Sequence, residues 1–186
     1  LILTPLAVAG QRVREGQKFG VDARQIREQS QVGAGVMGAN YERLPKLDAA
    51  SFGAVILDES SILKSFAGKT RGMLMDAFAD TRFKLCATAT PSPNDHTELG
   101  NHAEFLGVMR QQEMLSKWFI NDTATASQEW RLKGHAVESF WGWVASWSRC
   151  ATLPSDLGGD DAGYVLPEID RRLHEVEADR QTGAQG

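Results

Sequence analysis

The sequence predicts an α/β fold in which helices cover a parallel β-sheet. Short apolar runs alternate with stretches of helical periodicity over the first 110 residues, as they do in strand–helix–strand units. Polar residues directly follow several of these runs, most clearly Asp58-Glu59 after residues 53–57. Because ligands of open parallel sheets bind at the carboxyl ends of the strands, these polar residues are the first candidates for function.

Local patterns predict each element in turn. Residues 1–6 and 53–57 are apolar runs typical of buried strands, and residues 68–79 carry apolar side chains at helical spacing. Asp95 or Thr97 offers an N-cap for a following helix. The predicted strands cover residues 1–6, 23–28, 35–41, 53–57 and 82–87, and the predicted helices cover residues 7–19, 68–79 and 98–109.

Aromatic residues concentrate in the next part of the chain. All five tryptophans lie between Trp118 and Trp147, which predicts a Trp-rich helical subdomain over residues 111–165. Phe140 and Trp147 fall on one face of a predicted helix, so we interpret the aromatic residues as a small core. The alternative is that exposed aromatics and nearby basic side chains bind DNA.

The charge distribution does not exclude a nucleic acid as a partner. The net charge of −4 argues at first against one, but residues 1–149 carry 17 basic and 16 acidic side chains. Residues 150–186 carry 3 basic and 8 acidic ones, so the acidity belongs to the C-terminal part of the chain. Whole-chain charge therefore says little about any one binding face.

Cysteine usage and hydropathy predict a cytoplasmic protein with no membrane contact. Cys86 and Cys150 are isolated, which predicts reduced thiols rather than a disulfide framework or a zinc site. No apolar run reaches the roughly 18 residues that a membrane span requires. The first residues also lack the charged start and the cleavage site of a signal peptide.

The Asp58-Glu59 pair is the strongest chemical signal. A buried strand fixes the backbone, so a carboxylate at its end points rigidly into the ligand crevice. In phosphoryl-transfer ATPases such an aspartate holds the Mg²⁺ that bridges the terminal phosphates, and an adjacent glutamate can orient the attacking water. The alternative is that the two residues simply begin a loop or cap a helix.

Other patterns are excluded by their spacing. Gly68-Lys69-Thr70 is not a phosphate-binding loop, because Leu63 stands where the pattern needs its first glycine and no strand precedes it. No other segment of the chain supplies this loop. The histidines and Cys86 show no metal-ligand spacing.

Four ordered motifs resemble those of the first motor lobe of superfamily 2 helicases, specifically the Swi/Snf-like DEAD/DEAH-box helicases of phages and prophages. The helix at Glu98–Gly107 is also similar to the segment that follows the last motif in that family. The motifs are Leu3-Thr4-Pro5-Leu6, Asn40-Tyr41-Glu42, Asp58-Glu59-Ser60-Ser61-Ile62-Leu63-Lys64 and Thr88-Ala89-Thr90-Pro91-Ser92-Pro93-Asn94.

The resemblance implies a RecA-like P-loop NTPase lobe, truncated at its N-terminus, with ATP and Mg²⁺ as cofactors and DNA as partner. Residues 1–110 would form a partial lobe without the phosphate-binding loop, and residues 166–186 would lead toward a second RecA-like lobe missing from this chain. The complete parent would couple ATP hydrolysis to movement on DNA in the cytoplasm of a bacterial or phage-infected cell, whereas this chain alone would be inactive.

The resemblance also assigns roles to individual residues. Asp58 would associate with Mg²⁺ through water, and Glu59 would activate the attacking water. The motif threonines would couple the nucleotide state to the DNA-binding surface. The coupling residues are Thr88 and Thr90, and the residues near the DNA backbone are Thr4, Pro5, Asn40 and Tyr41.

Two alternative functions stay open from the sequence. The first is a non-hydrolysing motor remnant that acts as a DNA- or protein-binding module. The second is an unrelated Mg²⁺-dependent hydrolase that uses Asp58 and Glu59. DNA binding without turnover would indicate the former, and metal binding without nucleotide would indicate the latter.

Overall fold

A computed structural model describes residues 1–6, 8–64, 68–122 and 129–174 of this chain. The chain divides into two compact units, Leu1–Trp147 and Ser148–Gly186. The predicted boundary at residues 110 and 111 falls inside the first unit, between two helices that pack on each other, and it stays a prediction.

The first unit contains a parallel five-stranded sheet, which confirms the predicted α/β character. The strand order across the sheet is β2-β3-β1-β4-β5, and all four pairings are parallel. The strands are β1 (Ile2–Thr4), β2 (Ala23–Gln25), β3 (Val36–Asn40), β4 (Ala54–Asp58) and β5 (Phe83–Ala87).

Alternation along the central strands defines two faces of the sheet. Leu3, Ala39 and Leu57 are register partners on one face and are buried in the main core. Helix α1 (Ala9–Lys18) packs against β2 and β3, and Arg12 of α1 contacts Asp58 on the opposite face. Helix α2 (Lys69–Ala77) supplies the buried Leu74 to the main core.

The predicted helix over residues 98–109 is shorter than expected and begins differently. Asp95 is the cap: its carboxylate accepts a hydrogen bond from the backbone N–H of Thr97 (2.7 Å), which starts a 3₁₀ turn at His96–Glu98. Helix α3 (Leu99–Phe105) follows and ends before Gly107, whose φ of 75° requires the conformational freedom of glycine.

Close packing of α3 on helix α4 (Gln111–Trp118) depends on a second glycine. A Cβ atom at Gly100 would lie 2.7 Å from Cγ of Gln111 and 2.8 Å from Cε of Met114. Both separations are shorter than real Cβ contacts, so a larger residue at position 100 would require the side chains of Gln111 and Met114 to move.

The Trp-rich segment is not purely helical, and the prediction is corrected here. Strands β6 (Phe119–Asp122) and β7 (Glu129–Leu132) form an antiparallel pair before helix α5 (Val137–Trp147). The sequence analysis missed this hairpin because its strands are only four residues long. The second core packs where these elements meet, and its buried members are Leu99, Met114, Trp118, Phe119, Ala136 and Phe140.

The second unit contains little regular structure among its described residues, 148–174. A 3₁₀ turn at Pro154–Leu157 is held by Asp156, whose carboxylate accepts hydrogen bonds from the backbone N–H groups of Thr152 and Leu153. These two bonds lower the pKa of Asp156. Residues 175–186, most of the predicted linker, lie outside the described residues. Among the helices described, none is long and apolar enough to cross a membrane.

Candidate functional site

Four of the predicted site residues lie at the same edge of the sheet. Thr4 and Asn40 are register partners at the carboxyl ends of β1 and β3, and Asp58 pairs with Ala87 at the ends of β4 and β5. Thr88 follows Ala87 directly. The parallel strands therefore bring motifs separated by up to 84 positions in the chain to adjacent strand ends.

The sequence suggested that Asp58 is the first residue beyond the strand. In the structure Asp58 is the last residue of β4. It is 9% exposed, and Arg12 donates two hydrogen bonds to its carboxylate, from Nε (2.7 Å) and from Nη2 (3.0 Å). The Arg12 guanidinium also donates to Glu15 (2.8 Å). Hydrogen bonding first to Asp58 and then to Glu15 raises the pKa of Arg12.

Glu59 has an exposed side chain and an unusual backbone. Its φ of 55° lies in the left-handed region, and among the described residues no other non-glycine residue has a positive φ. A non-glycine residue in this region is strained and is held there by its surroundings, and such strain is frequent at functional sites. The strained backbone therefore makes Glu59 a candidate functional residue.

An open cleft of about 270 Å³ lies beside Glu59. Its lining includes Pro5 and Tyr41, two of the predicted DNA-contacting residues. Two carboxylates and one ammonium group line it, so the charge of the cleft does not favour a DNA phosphate. The full lining consists of Pro5, Leu6, Tyr41, Glu42, Glu59, Ser61, Ile62 and Lys64.

The other predicted DNA-contacting side chains are interior. Thr4 is 0% exposed and Asn40 is 7% exposed, so in this conformation neither side chain is available to a DNA strand. The hydroxyl of Thr4 donates to the carbonyl of Pro5 (3.2 Å), whereas Oδ1 of Asn40 is buried without a hydrogen-bond partner. These two residues are therefore part of the protein interior, whereas Pro5 and Leu6 line the cleft.

Tyr41 is buried and joins β3 to the end of β4. Its hydroxyl donates a hydrogen bond of 2.7 Å to the backbone carbonyl of Asp58. Burial raises the pKa of Tyr41, and the nearby Cys86, Asp58 and Glu59 add to this. The phenol therefore stays protonated and acts as a donor.

Thr88 and Thr90 form a local turn at the end of β5. The backbone N–H of Thr90 donates to the hydroxyl of Thr88 (3.1 Å), and Thr90 is exposed while Thr88 is half-buried. The turn lies one residue beyond the register partner of Asp58.

A buried pair that the sequence analysis missed holds the chain just after Glu59. Ser60 Oγ and His102 Nε2 share a hydrogen bond of 3.1 Å, and the two residues are 0% and 3% exposed. Burial lowers the pKa of His102, and contacts with the backbone of Glu98 and Ser60 oppose this effect. The residues are 42 positions apart, so no local pattern could have paired them.

Cys86 lies near this pair. Burial raises its pKa to about 12, and a contact with Ser60 acts in the opposite direction. Within the described part of the chain, no group of three or more His, Cys, Asp or Glu side chains could hold a metal ion.

The tryptophan-rich segment is a core, in agreement with our interpretation. Phe140 is fully buried and contacts the rings of Trp118, Phe119, Trp141 and Trp143 at centroid distances of 5.2 to 5.9 Å. Trp118 and Trp143 stack at 4.8 Å. These rings are engaged with one another rather than arranged as a platform for DNA bases.

The residues present fit part of a magnesium–nucleotide site. Mg²⁺ keeps several waters and is usually held by one or two carboxylates together with substrate phosphates, and Asp58 would supply one such carboxylate. Both carboxylate oxygens of Asp58 already accept hydrogen bonds from Arg12, which an ion would have to share or displace. The phosphates themselves would need a loop that the sequence does not contain. Comparison of the chain with protein-family models and with curated proteins finds no match.

Proposed function

We propose that this chain is part of the first motor lobe of an ATP-dependent DNA helicase or translocase of the phage-type Swi/Snf-like class. The observation that carries the proposal is the position of the four motifs at one sheet edge. Asn40, Thr4, Asp58 and Thr88 lie at the carboxyl ends of β3, β1, β4 and β5, four neighbouring strands. In open parallel sheets this edge is where ligands bind.

Individual residues would have distinct roles in ATP hydrolysis. Asp58 would hold Mg²⁺ through water, and the bound ion would neutralise charge on the terminal phosphates of ATP. Glu59, exposed at the cleft, would orient the attacking water and accept its proton. Thr88 and Thr90 would carry the change of nucleotide state to the rest of the lobe.

The free edge of β5 supports the proposal. Among the described strands β5 is last in the order, and its outward side chains Phe83 and Leu85 are 61% and 54% exposed. Their register partners on β4 are Ala54 and Ile56. An apolar strip on an edge strand is a liability in a protein unless another element covers it.

A strand–helix unit fits this open strip. α1 connects β1 to β2, in the direction that leads away from β5, and lies on the sheet face that carries Asp58. Consider a further strand that pairs with the free edge of β5 and is joined to β1 by a helix. Its connection to β1 would cross the sheet in the same direction as the connection from β1 to β2. By the right-handed crossover rule its helix would lie on the same face and cover Phe83 and Leu85. A strand–loop–helix unit with a phosphate-binding loop has this form.

The test compares two glutamates of one cleft in the complete parent protein. We expect Glu59→Gln to lower DNA-stimulated ATP hydrolysis about 100-fold or more, the range seen when a general base is removed. Glu42→Gln is the control, because Glu42 lines the same cleft and has no assigned role. Activity of the Glu59→Gln protein within about twofold of the wild type would contradict the assignment, because a general base contributes far more.

In the alternative, a binding module without turnover, the exposed apolar strip on β5 would contact a protein partner. This alternative predicts that the parent binds DNA or a protein partner but hydrolyses no ATP. Titration with duplex DNA at two salt concentrations separates the cases, because contacts to the phosphate backbone weaken steeply with salt. Salt-sensitive binding without hydrolysis would favour the module.

A further inference from the structure

The strained residue Glu59 lies between two buried side-chain contacts. On one side the hydroxyl of Tyr41 donates to the carbonyl of Asp58 (2.7 Å). On the other side the hydroxyl of Ser60 is bonded to His102 Nε2 (3.1 Å). The neighbours immediately before and after Glu59 are therefore each anchored by a side chain from a distant part of the chain.

Both anchors are rigid. Tyr41 and His102 are each 3% exposed and Ser60 is 0% exposed, so water does not compete for these hydrogen bonds. His102 lies on α3, which is tied to the 3₁₀ turn Ser60–Lys64 by a second bond, from Nδ2 of Asn101 to the carbonyl of Lys64 (3.2 Å). The chain on either side of Glu59 has little freedom to relax.

The geometry also explains why Glu59 needs anchors. The Asp58 carboxylate is bonded to Arg12 of α1 on one face of the sheet, whereas Ser60 contacts α3. Between these two contacts the backbone passes through Glu59, which has a φ of 55°. An unanchored glutamate would leave the left-handed region for the broader regions that L-residues prefer.

We propose that Tyr41 and His102 are positioning residues that hold Glu59 in its left-handed conformation and thereby direct its carboxylate into the cleft. Tyr41 acts through the carbonyl of Asp58, and His102 acts through the hydroxyl of Ser60. The conformational part stands on this chain alone. The effect on hydrolysis rests on the proposed function.

The conformational part is tested by NMR on the complete 186-residue chain. The probes are the HN–Hα coupling and the backbone chemical shifts of Glu59, which report its φ directly. We expect Tyr41→Phe and Ser60→Ala, each of which removes one hydroxyl group, to shift the Glu59 signals away from left-handed values. The double variant should shift them further.

Matched controls separate this effect from general loosening. Tyr164→Phe removes the hydroxyl of an exposed tyrosine, and Ser116→Ala removes one from an exposed serine of α4. Neither should move the signals of Glu59. If the Glu59 coupling and shifts are unchanged in Tyr41→Phe, in Ser60→Ala and in the double variant, the proposal is overturned.

The functional part uses the complete parent protein. We expect Tyr41→Phe and Ser60→Ala to lower kcat for DNA-stimulated ATP hydrolysis at least tenfold while KM for ATP changes less than twofold, because a misplaced base impairs the chemical step and not binding. Loss of kcat without movement of Glu59 would overturn the positioning role. Movement of Glu59 in a parent that hydrolyses no ATP would support positioning and contradict the proposed function.

Discussion

Arg12 donates two hydrogen bonds to the carboxylate of Asp58, at 2.7 Å and 3.0 Å, and so places a positive charge on the candidate magnesium ligand. The pair joins α1 to the end of β4 across 46 positions of sequence. Bidentate pairs of this kind are the stronger form of the arginine–carboxylate interaction. Arg12 and a divalent cation would compete for the same oxygens.

Loss of Arg12 should destabilise the chain measurably. Arg12→Gln leaves a carboxylate that is 9% exposed without its charged partner, and we expect a loss of about 1 to 2 kcal/mol in the free energy of unfolding. The figure is at the low end for a buried pair, because the Arg12 side chain is 39% exposed and screened by water. Denaturant unfolding measures it.

The control for Arg12 lies on the same helix. Arg14 is exposed, and Arg14→Gln should change stability by less than about 0.5 kcal/mol, as surface substitutions usually do. Equal effects of the two substitutions would show that the pair with Asp58 contributes nothing beyond ordinary surface charge.

The free energy of unfolding should decrease as the pH is lowered below neutrality, because His102 is buried. Its pKa in the folded chain is lowered from 6.5 by burial, so the unfolded chain binds a proton more readily. The stability that depends on a neutral His102 is therefore fully present above pH 6.5. It is lost as the pH falls toward the pKa of His102 in the folded chain. The slope from this one group is at most about 1.4 kcal/mol per pH unit.

Unfolding measured between pH 5 and pH 7.5 isolates this contribution. His102→Gln removes the titrating group and should flatten the profile. His135→Gln removes an exposed histidine and should leave the slope unchanged. A slope that survives His102→Gln would assign the pH dependence to other groups.

Phe140 should be essential to the second core. Phe140→Ala removes a fully buried ring that contacts four aromatic neighbours, and such substitutions cost about 3 to 5 kcal/mol. Phe19→Ala is the matched control, because the Phe19 ring is 83% exposed. Thermal unfolding of both variants compares them. A small loss in Phe140→Ala would place the aromatic cluster outside the folded core.

The two cysteines should differ in reactivity. Burial raises the pKa of Cys86 from 9.0 to about 12, which lowers its thiolate fraction near neutral pH about a thousandfold. Cys150 is exposed. We expect a thiol reagent at pH 8 to label Cys150 at least tenfold faster, the lower bound allowing for local opening around the half-buried Cys86. Cys86→Ser and Cys150→Ser assign each rate, and comparable rates would contradict the burial of Cys86.

The sequence by itself determined the strands and the order of the motifs. The segments at residues 1–6, 53–57 and 82–87 all contain strands, as their short apolar patterns predicted. Asp95 capped its turn as expected, because capping is a local interaction between neighbouring residues. Burial of Phe140 followed from helical spacing in the same way.

Tertiary structure alone decided the contacts that define the site. Nothing in the spacing of residues 12, 41 and 102 relates them to the segment Asp58-Glu59-Ser60, since each contact joins distant segments that only the folded chain brings together. The burial of Thr4 and Asn40 was also not predictable, because a polar residue at the end of a strand looks the same in sequence whether it is buried or exposed. Local interactions such as the cap formed by Asp95 could be predicted from the sequence. The left-handed backbone of Glu59 and its anchors depend on packing between distant elements.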